Sequence, residues 1–172
     1  MHYFLCLEVW QSPKKIFLNQ GKYAVEILNR FDMLECKSMN TPMETKMKLL
    51  VDTLSKLVDA TLYRQIIGSL MYLTNTRLDI CFVVNTLSQY LVEPRHVHLI
   101  ATKHVMRYLN GTLDFGLCYT GDHDFISVGY TDSDWARSVS DRKSTSRCCF
   151  GPGSFMTSWQ SRKKSNIALS TT

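Results

Sequence analysis

The stretch that decides the fold is residues 62–73, which read LYRQIIGSLMYL. Its apolar residues recur at intervals of three and four, the spacing of one face of an α-helix. Two further stretches repeat this pattern, and Pro94 separates them because proline cannot continue a helix. The third stretch ends at Asn110-Gly111-Thr112, a sequence typical of a helix C-terminus. The sequence therefore predicts three amphipathic helices within residues 60–112.

Each of these helices has a predicted buried face, and Asp79 is predicted to cap the N-terminus of the second helix. The predicted buried residues are Leu62, Ile66, Ile67, Leu70 and Leu73 in the first helix, Ile80, Val83, Val84, Leu87 and Leu91 in the second, and Val97, Ala101, Val105, Tyr108 and Leu109 in the third.

Upstream of the helices, two short β-prone runs at residues 3–9 and 16–18 flank the turn-forming residues 11–15 and predict a hairpin. Residues 21–31 have helical spacing, with Tyr23, Ile27, Leu28 and Phe31 on the apolar side. Residues 32–59 are polar and irregular and are broken by Pro42, which predicts a linker with little structure of its own.

Downstream of the helices the apolar period falls towards two, and strands are predicted at residues 115–119, 125–131, 146–150 and 155–159. This change in period predicts a domain boundary at residues 112–114, followed by an antiparallel meander. The predicted fold class is α+β. The predicted organisation has three parts: residues 1–59 with a hairpin, a helix and a linker, residues 60–112 with three helices, and residues 113–172 with strands.

Composition narrows the function only moderately. At 172 residues and 45% hydrophobic content, the chain is long enough for a globular fold. The net charge of +5 is compatible with a polyanionic partner, and a solvated surface explains it equally well. The six cysteines show no metal-binding or redox spacing, which indicates a reduced, intracellular protein. We expect no secretion signal, transmembrane segment or membrane partner, because no apolar run is long enough.

Two carboxylates are candidates for metal chemistry. Strand alternation would place Asp132 and Asp134 on the same face of a strand. Such a pair suits Mg²⁺ but is incomplete for two-metal hydrolysis of a phosphodiester, and surface turn residues are the alternative explanation.

Several motifs in a fixed order carry a resemblance to a known family. They are MHYFL at 1–5, KSMNTPM at 37–43, YRQIIGSLMYLT at 63–74, DSDW at 132–135, DRKSTS at 141–146, SWQSRKK at 158–164 and ALSTT at 168–172. Together they resemble the Pol polyprotein of copia-type retrotransposons. The resemblance implies that residues up to about 110 form the end of a reverse transcriptase and its connection, and that residues from about 115 begin an incomplete RNase H-like mixed sheet.

The resemblance also implies roles for particular residues. Asp132 matches the first RNase H metal ligand, Asp134 is a motif position of less defined role, and the next ligand of the family is a Glu directly after Ser-Thr-Thr, where this chain ends at Thr172. The adjacent aspartates of the family's polymerase are absent from this chain. Departures from the motifs include Arg147-Cys148 in place of Gly-Tyr. We therefore expect a truncated, catalytically inactive fragment in which the family's Mg²⁺ has no functional counterpart.

Five basic residues are predicted to contact a nucleic-acid backbone, and Trp159 is predicted to supply a stacking face. These residues are Arg142, Lys143, Arg162, Lys163 and Lys164. A solvated strand edge is the alternative. The expected partner is an RNA–DNA hybrid or another nucleic acid, bound weakly. Two other hypotheses are a co-opted module that binds a protein through its exposed helical faces, and a pseudogene product with no selected role.

Overall fold

The computed structural model describes residues 2–44, 55–121, 127–133, 143–152 and 156–167. The chain divides into two compact units, Met1–Tyr119 and Thr120–Thr172. The described residues form four α-helices and two β-sheets, which confirms the α+β class. No helix in this described part is long and apolar enough to span a membrane.

The first unit contains a sheet of four strands in the order β1-β2-β3-β4. These are β1 (His2–Phe4), β2 (Leu7–Ser12), β3 (Lys15–Asn19) and β4 (Gly116–Thr120). The prediction of one strand over residues 3–9 is wrong, because Leu5 and Cys6 have φ of 48° and 61° and reverse the chain. Phe4 then pairs with Leu7 across a two-residue turn. Positive φ at both turn residues is typical of type I′, which usually carries Asn-Gly.

Residues that favour positive φ should therefore stabilise the turn at Leu5 and Cys6. We expect the double substitution Leu5→Asn and Cys6→Gly to stabilise the first unit by about 1 kcal/mol, because both new residues tolerate positive φ. Urea unfolding followed by circular dichroism measures this change. Lys14→Gly serves as the control, since Lys14 lies in the next turn and has no positive φ. Equal effects of the two changes would contradict the assigned turn geometry.

The helices are α1 (Gly21–Arg30), α2 (Ala60–Leu73), α3 (Leu78–Leu87) and α4 (His96–Asn110), with a short 3₁₀ turn at Ser88–Tyr90. Their buried faces form one hydrophobic core. The prediction for Leu62 is wrong, since Leu62 is 41% exposed and Tyr63 is fully buried instead. The Tyr63 hydroxyl donates to the Leu87 carbonyl oxygen at 2.9 Å, which satisfies its polar end within the core.

The other predicted core positions are mostly buried. Leu91 and Val97 are half-buried, and the remaining predicted residues of α3 and α4 are buried. In α1, Ile27 and Leu28 are buried, as is Ala24, while Tyr23 and Phe31 pack at the edge of the core. Arg77, rather than Asp79, occupies the N-cap of α3, so the predicted cap is wrong. Asp79 lies in the first turn, where Arg77 binds it.

Residues 33–44, which we call the strap, have no helix or strand, but they are bound to α4. Three α4 side chains, His104, Arg107 and Asn110, hold main-chain oxygens of the strap. Asn110 Nδ2 donates to the oxygens of Leu34 and Cys36, Arg107 Nε donates to that of Lys37, and His104 Nε2 lies 2.8 Å from that of Thr41. This described part of the predicted linker is therefore docked structure. Residues 45–54 lie outside the described residues.

The second unit contains an antiparallel sheet in the order β5-β6-β7. Its strands are β5 (Ser127–Ser133), β6 (Lys143–Pro152) and β7 (Ser158–Ile167). β6 extends beyond the predicted strand at both ends, and β7 shares only residues 158 and 159 with the predicted strand at 155–159. The division between the units falls before the last residue of β4, a strand that pairs in the sheet of the first unit. The origin of each part in a polymerase, a connection or an RNase H stays a prediction, as does the RNase H-like sheet.

Candidate nucleic-acid interface

Asp132 lies on β5 directly opposite Arg147 on β6. Arg147 Nη1 is 3.4 Å from Asp132 Oδ2, and the Asp132 side chain is 69% exposed. Asp134 lies outside the described residues, so the predicted pair of carboxylates stays a prediction. Within the described ranges, no three His, Cys, Asp or Glu residues are grouped as metal ligands. These described residues therefore do not fit a Mg²⁺ site, which needs several oxygen ligands.

The cross-strand register divides the second sheet into two faces, because residues that pair directly point to the same side and neighbours along a strand alternate. Asp132, Arg147 and Ser161 form one row across the three strands. We call the side that contains this row the Asp132 face. We call the opposite side the basic face. The pairing places Phe150, Gln160 and Arg162 on it. Lys164 is assigned to it by alternation from Arg162 and by its exposure, because the pairing of β6 with β7 becomes irregular beyond Lys163.

The predicted basic cluster is split between these faces. Arg162 and Lys164 are both exposed on the basic face. Lys163 lies between them in sequence and therefore points to the Asp132 face, where it is half-buried. Lys143 is half-buried as well, and Arg142 lies outside the described residues. Arg162 and Lys164 are thus the predicted residues that the structure brings together at an exposed surface.

Phe150 is an aromatic residue of this surface that sequence reasoning missed. It is 45% exposed and points to the same side as Arg162 and Lys164. Its ring lies over Gly129, where a Cβ would approach Phe150 Cε1 to 2.6 Å, so the glycine leaves room for the ring. Trp159, the predicted stacking residue, is half-buried and belongs to the Asp132 face. No sequence signal identifies Phe150 as a neighbour of Arg162, because the pairing of Arg162 with Ser146 is a register that only the structure gives.

The charge of the second sheet is strongly one-sided. In the part of it that the structure describes, five residues are basic, and Asp132 is the sole acidic one. The basic residues are Lys143, Arg147, Arg162, Lys163 and Lys164. Such an excess attracts a polyanion and is expected to make binding depend on salt.

A second polar cluster lies in the first unit, around the buried Arg77. Its Nε and Nη2 donate to the two carboxylate oxygens of Asp79 at 3.0 and 2.7 Å. Nη1 and Nη2 also donate to the Thr112 carbonyl and hydroxyl oxygens, and the Tyr108 hydroxyl donates to Asp79 Oδ2. Phe115 lies on the other side of the guanidinium. These contacts join the start of α3 to the end of α4, so the cluster has a structural role.

The pKa of Asp79 reflects these contacts. Burial alone would raise it, but the hydrogen bond and the charge of Arg77, together with the Tyr108 hydroxyl, outweigh burial and hold the pKa below 3.8. Burial and the hydrogen bond to Asp79 raise the pKa of Tyr108. A cavity of about 530 Å³ adjoins the cluster and is lined largely by apolar groups such as Phe17 and Leu117.

Two buried histidines, His98 and His104, have structural partners. His98 Nδ1 accepts from the Arg95 amide at 3.0 Å, and its ring stacks on Tyr90 with centroids 3.8 Å apart. His104 is bound to the strap through Thr41. These contacts orient both rings towards neighbouring protein groups.

Comparison with known proteins identifies the family. The chain is 40% identical over all 172 residues to the retrovirus-related Pol polyprotein from transposon RE2 of Arabidopsis thaliana. Over 94% of its length, the chain is 36% identical to the retrovirus-related Pol polyprotein from transposon TNT 1-94 of Nicotiana tabacum. An uncharacterised mitochondrial protein of Arabidopsis thaliana is 38% identical over the whole chain, which covers 71% of that protein. The chain belongs to the Pol polyproteins of copia-type retrotransposons.

The relationship concerns a small part of each polyprotein. The chain spans 12% of the RE2 polyprotein and 13% of the TNT 1-94 polyprotein. No family model matches the chain, and no solved structure matches it.

Proposed function

We propose that the second sheet binds the backbone of a nucleic acid, such as an RNA–DNA hybrid, without sequence preference and without cutting it. The observation that carries this proposal is the joint exposure of Arg162, Lys164 and Phe150 on the basic face. Two cations two residues apart on a strand are spaced to contact phosphates, and an exposed aromatic ring can stack on a base. Membership of a Pol polyprotein family supports a nucleic acid as the partner.

The proposal that the chain does not cut the nucleic acid is based on the residues around Asp132. Phosphodiester hydrolysis of this kind uses metal ions that several carboxylates hold and that activate a water molecule. Asp132 is instead paired with Arg147, and the row that contains them ends in Ser161, a neutral residue. We therefore propose binding without turnover for this chain.

Affinity for a labelled RNA–DNA hybrid, measured by fluorescence anisotropy over a range of salt concentrations, tests the binding face. We expect Lys164→Gln to weaken binding about threefold to tenfold and to reduce the salt slope by about one, because one phosphate contact is lost. Lys163→Gln is the matched control, since it removes the same charge from the adjacent residue on the opposite face. Equal losses for the two variants would overturn the assignment of the basic face.

Cleavage is tested on the same hybrid in the presence of Mg²⁺ or Mn²⁺. The expected result is that the hybrid remains intact. Cleavage that Asp132→Asn abolishes would overturn the proposal that the chain binds without turnover.

A protein-interaction role is the second candidate, and the tip of the first hairpin favours it. Phe4 and Leu5 are 69% and 66% exposed at the end of β1. Exposed apolar side chains that cluster in this way are typical of a protein contact. A complex that persists at high salt and is lost on Phe4→Ser would favour this role over nucleic-acid binding, because burial of apolar surface is insensitive to screening.

A further inference from the structure

Arg147 is the neighbour that determines what Asp132 can bind. The two residues pair directly across β5 and β6, so their side chains leave the sheet side by side on the Asp132 face. Their charged atoms are 3.4 Å apart. Arg147 therefore brings a guanidinium, a cationic group, next to the Asp132 carboxylate.

Two described residues border this pair on the Asp132 face. Ser161 follows Arg147 in the same cross-strand row and is buried. Tyr130 lies two residues before Asp132 on the same face.

We propose that Arg147 takes the place of a divalent cation at Asp132 and excludes Mg²⁺ or Mn²⁺ from this carboxylate. A divalent ion would have to displace the guanidinium or bind beside it, and the repulsion between the two cations opposes the second arrangement. A single exposed carboxylate holds a divalent ion only weakly, and one adjacent positive charge lowers that affinity further, by several-fold. The proposal does not depend on nucleic-acid binding, because the metal is measured in the absence of nucleic acid.

Manganese binding to the whole chain tests the proposal, with free Mn²⁺ measured by electron paramagnetic resonance. We expect wild type and Asp132→Asn to bind Mn²⁺ equally. We expect Arg147→Ser and Arg147→Gln to raise the Mn²⁺ affinity about fivefold. Adding Asp132→Asn to either variant is expected to remove this gain. Arg147→Lys, which keeps the charge, is expected to behave as wild type.

Arg162→Ser is the matched control, since it removes the same charge from the opposite face of the sheet. Equal gains for Arg147→Ser and Arg162→Ser would show an effect of total charge and would overturn the proposal. A loss of Mn²⁺ binding on Asp132→Asn in the wild-type background would overturn it as well. Circular dichroism of each variant verifies folding, and Arg147→Gln provides the test if Arg147→Ser does not fold.

Discussion

Replacing Arg77 with methionine is expected to lower the free energy of unfolding by about 3 kcal/mol at pH 7. The substitution keeps much of the side-chain volume but removes the Arg77 donors to Asp79 and Thr112. The Asp79 carboxylate then stays near the core without its cationic partner, while the Tyr108 hydroxyl still donates to it. Breaking such a pair costs more than the pair itself contributes, because the charge that remains is poorly solvated.

The effect of Arg77→Met should depend on pH with a defined sign. The pKa of Asp79 is depressed in the folded state, so its contribution to stability is present above 3.8 and is lost as the pH falls through the lower folded value. The difference in unfolding free energy between wild type and Arg77→Met should therefore narrow at about pH 3. Urea unfolding followed at the helical circular-dichroism band, at pH 7 and at this low pH, measures both effects.

Arg64→Met is the control for Arg77→Met. Arg64 is exposed and donates one hydrogen bond, from Nε to the Leu91 oxygen at 3.0 Å. We expect it to cost less than about 1 kcal/mol. Comparable losses at pH 7 for Arg64→Met and Arg77→Met would show that the buried ion pair has no special importance.

Gly116→Ala is expected to destabilise the first unit by about 2 kcal/mol. A Cβ at Gly116 would overlap the carbonyl oxygen of Leu18 and lie 3.0 Å from Phe17 Cζ. The oxygen belongs to the backbone of β3, so relief requires that the two strands separate. Urea unfolding measures the loss, and faster amide exchange in β3 would identify where the structure opens.

Gly68→Ala is expected to stabilise the protein, although it is the same chemical change as Gly116→Ala. Gly68 lies inside α2, and a Cβ there would meet nothing within 4 Å. We expect a gain of about 1 kcal/mol, because alanine loses less backbone entropy in a helix. Stability unchanged by Gly116→Ala would contradict the close approach of β4 to β3.

The helices could be predicted from sequence because their period repeats over many residues. Ile66, Ile67, Leu70 and Leu73 are buried as predicted, since each follows from its neighbours at three or four residues. The choice between Leu62 and Tyr63 at the edge of that face could not be made in this way. Tyr63 is buried because its hydroxyl reaches Leu87 on another helix, which is a tertiary contact.

The errors in the strands have a different cause. Leu5 and Cys6 are not residues that favour positive φ, so the local sequence gave no turn signal. The pairing of β4 with the first sheet depends on residues nearly a hundred positions apart, and a period of two cannot reveal it. A local pattern thus predicts that a strand exists but not which strand lies beside it.

For the candidate site, too, the sequence predicted the residues but not their arrangement. Asp132 and the basic residues near it were recognisable as residue types with suitable chemistry. Their distribution over two faces, and the pairing of Asp132 with Arg147, required the register of β5, β6 and β7. Asp134 and Arg142 lie outside the described residues, and their roles stay predictions.

Because side chains alternate along β7, a change in the length of this strand has a different effect from a substitution within it. Inserting one residue just before Arg162, with the rest of the pairing unchanged, would move Lys163 to the basic face and move Arg162 and Lys164 to the Asp132 face. A single codon gained or lost could therefore change the charge of the exposed face and leave the composition almost the same. Length changes in this strand should alter affinity for polyanions more than most single substitutions do.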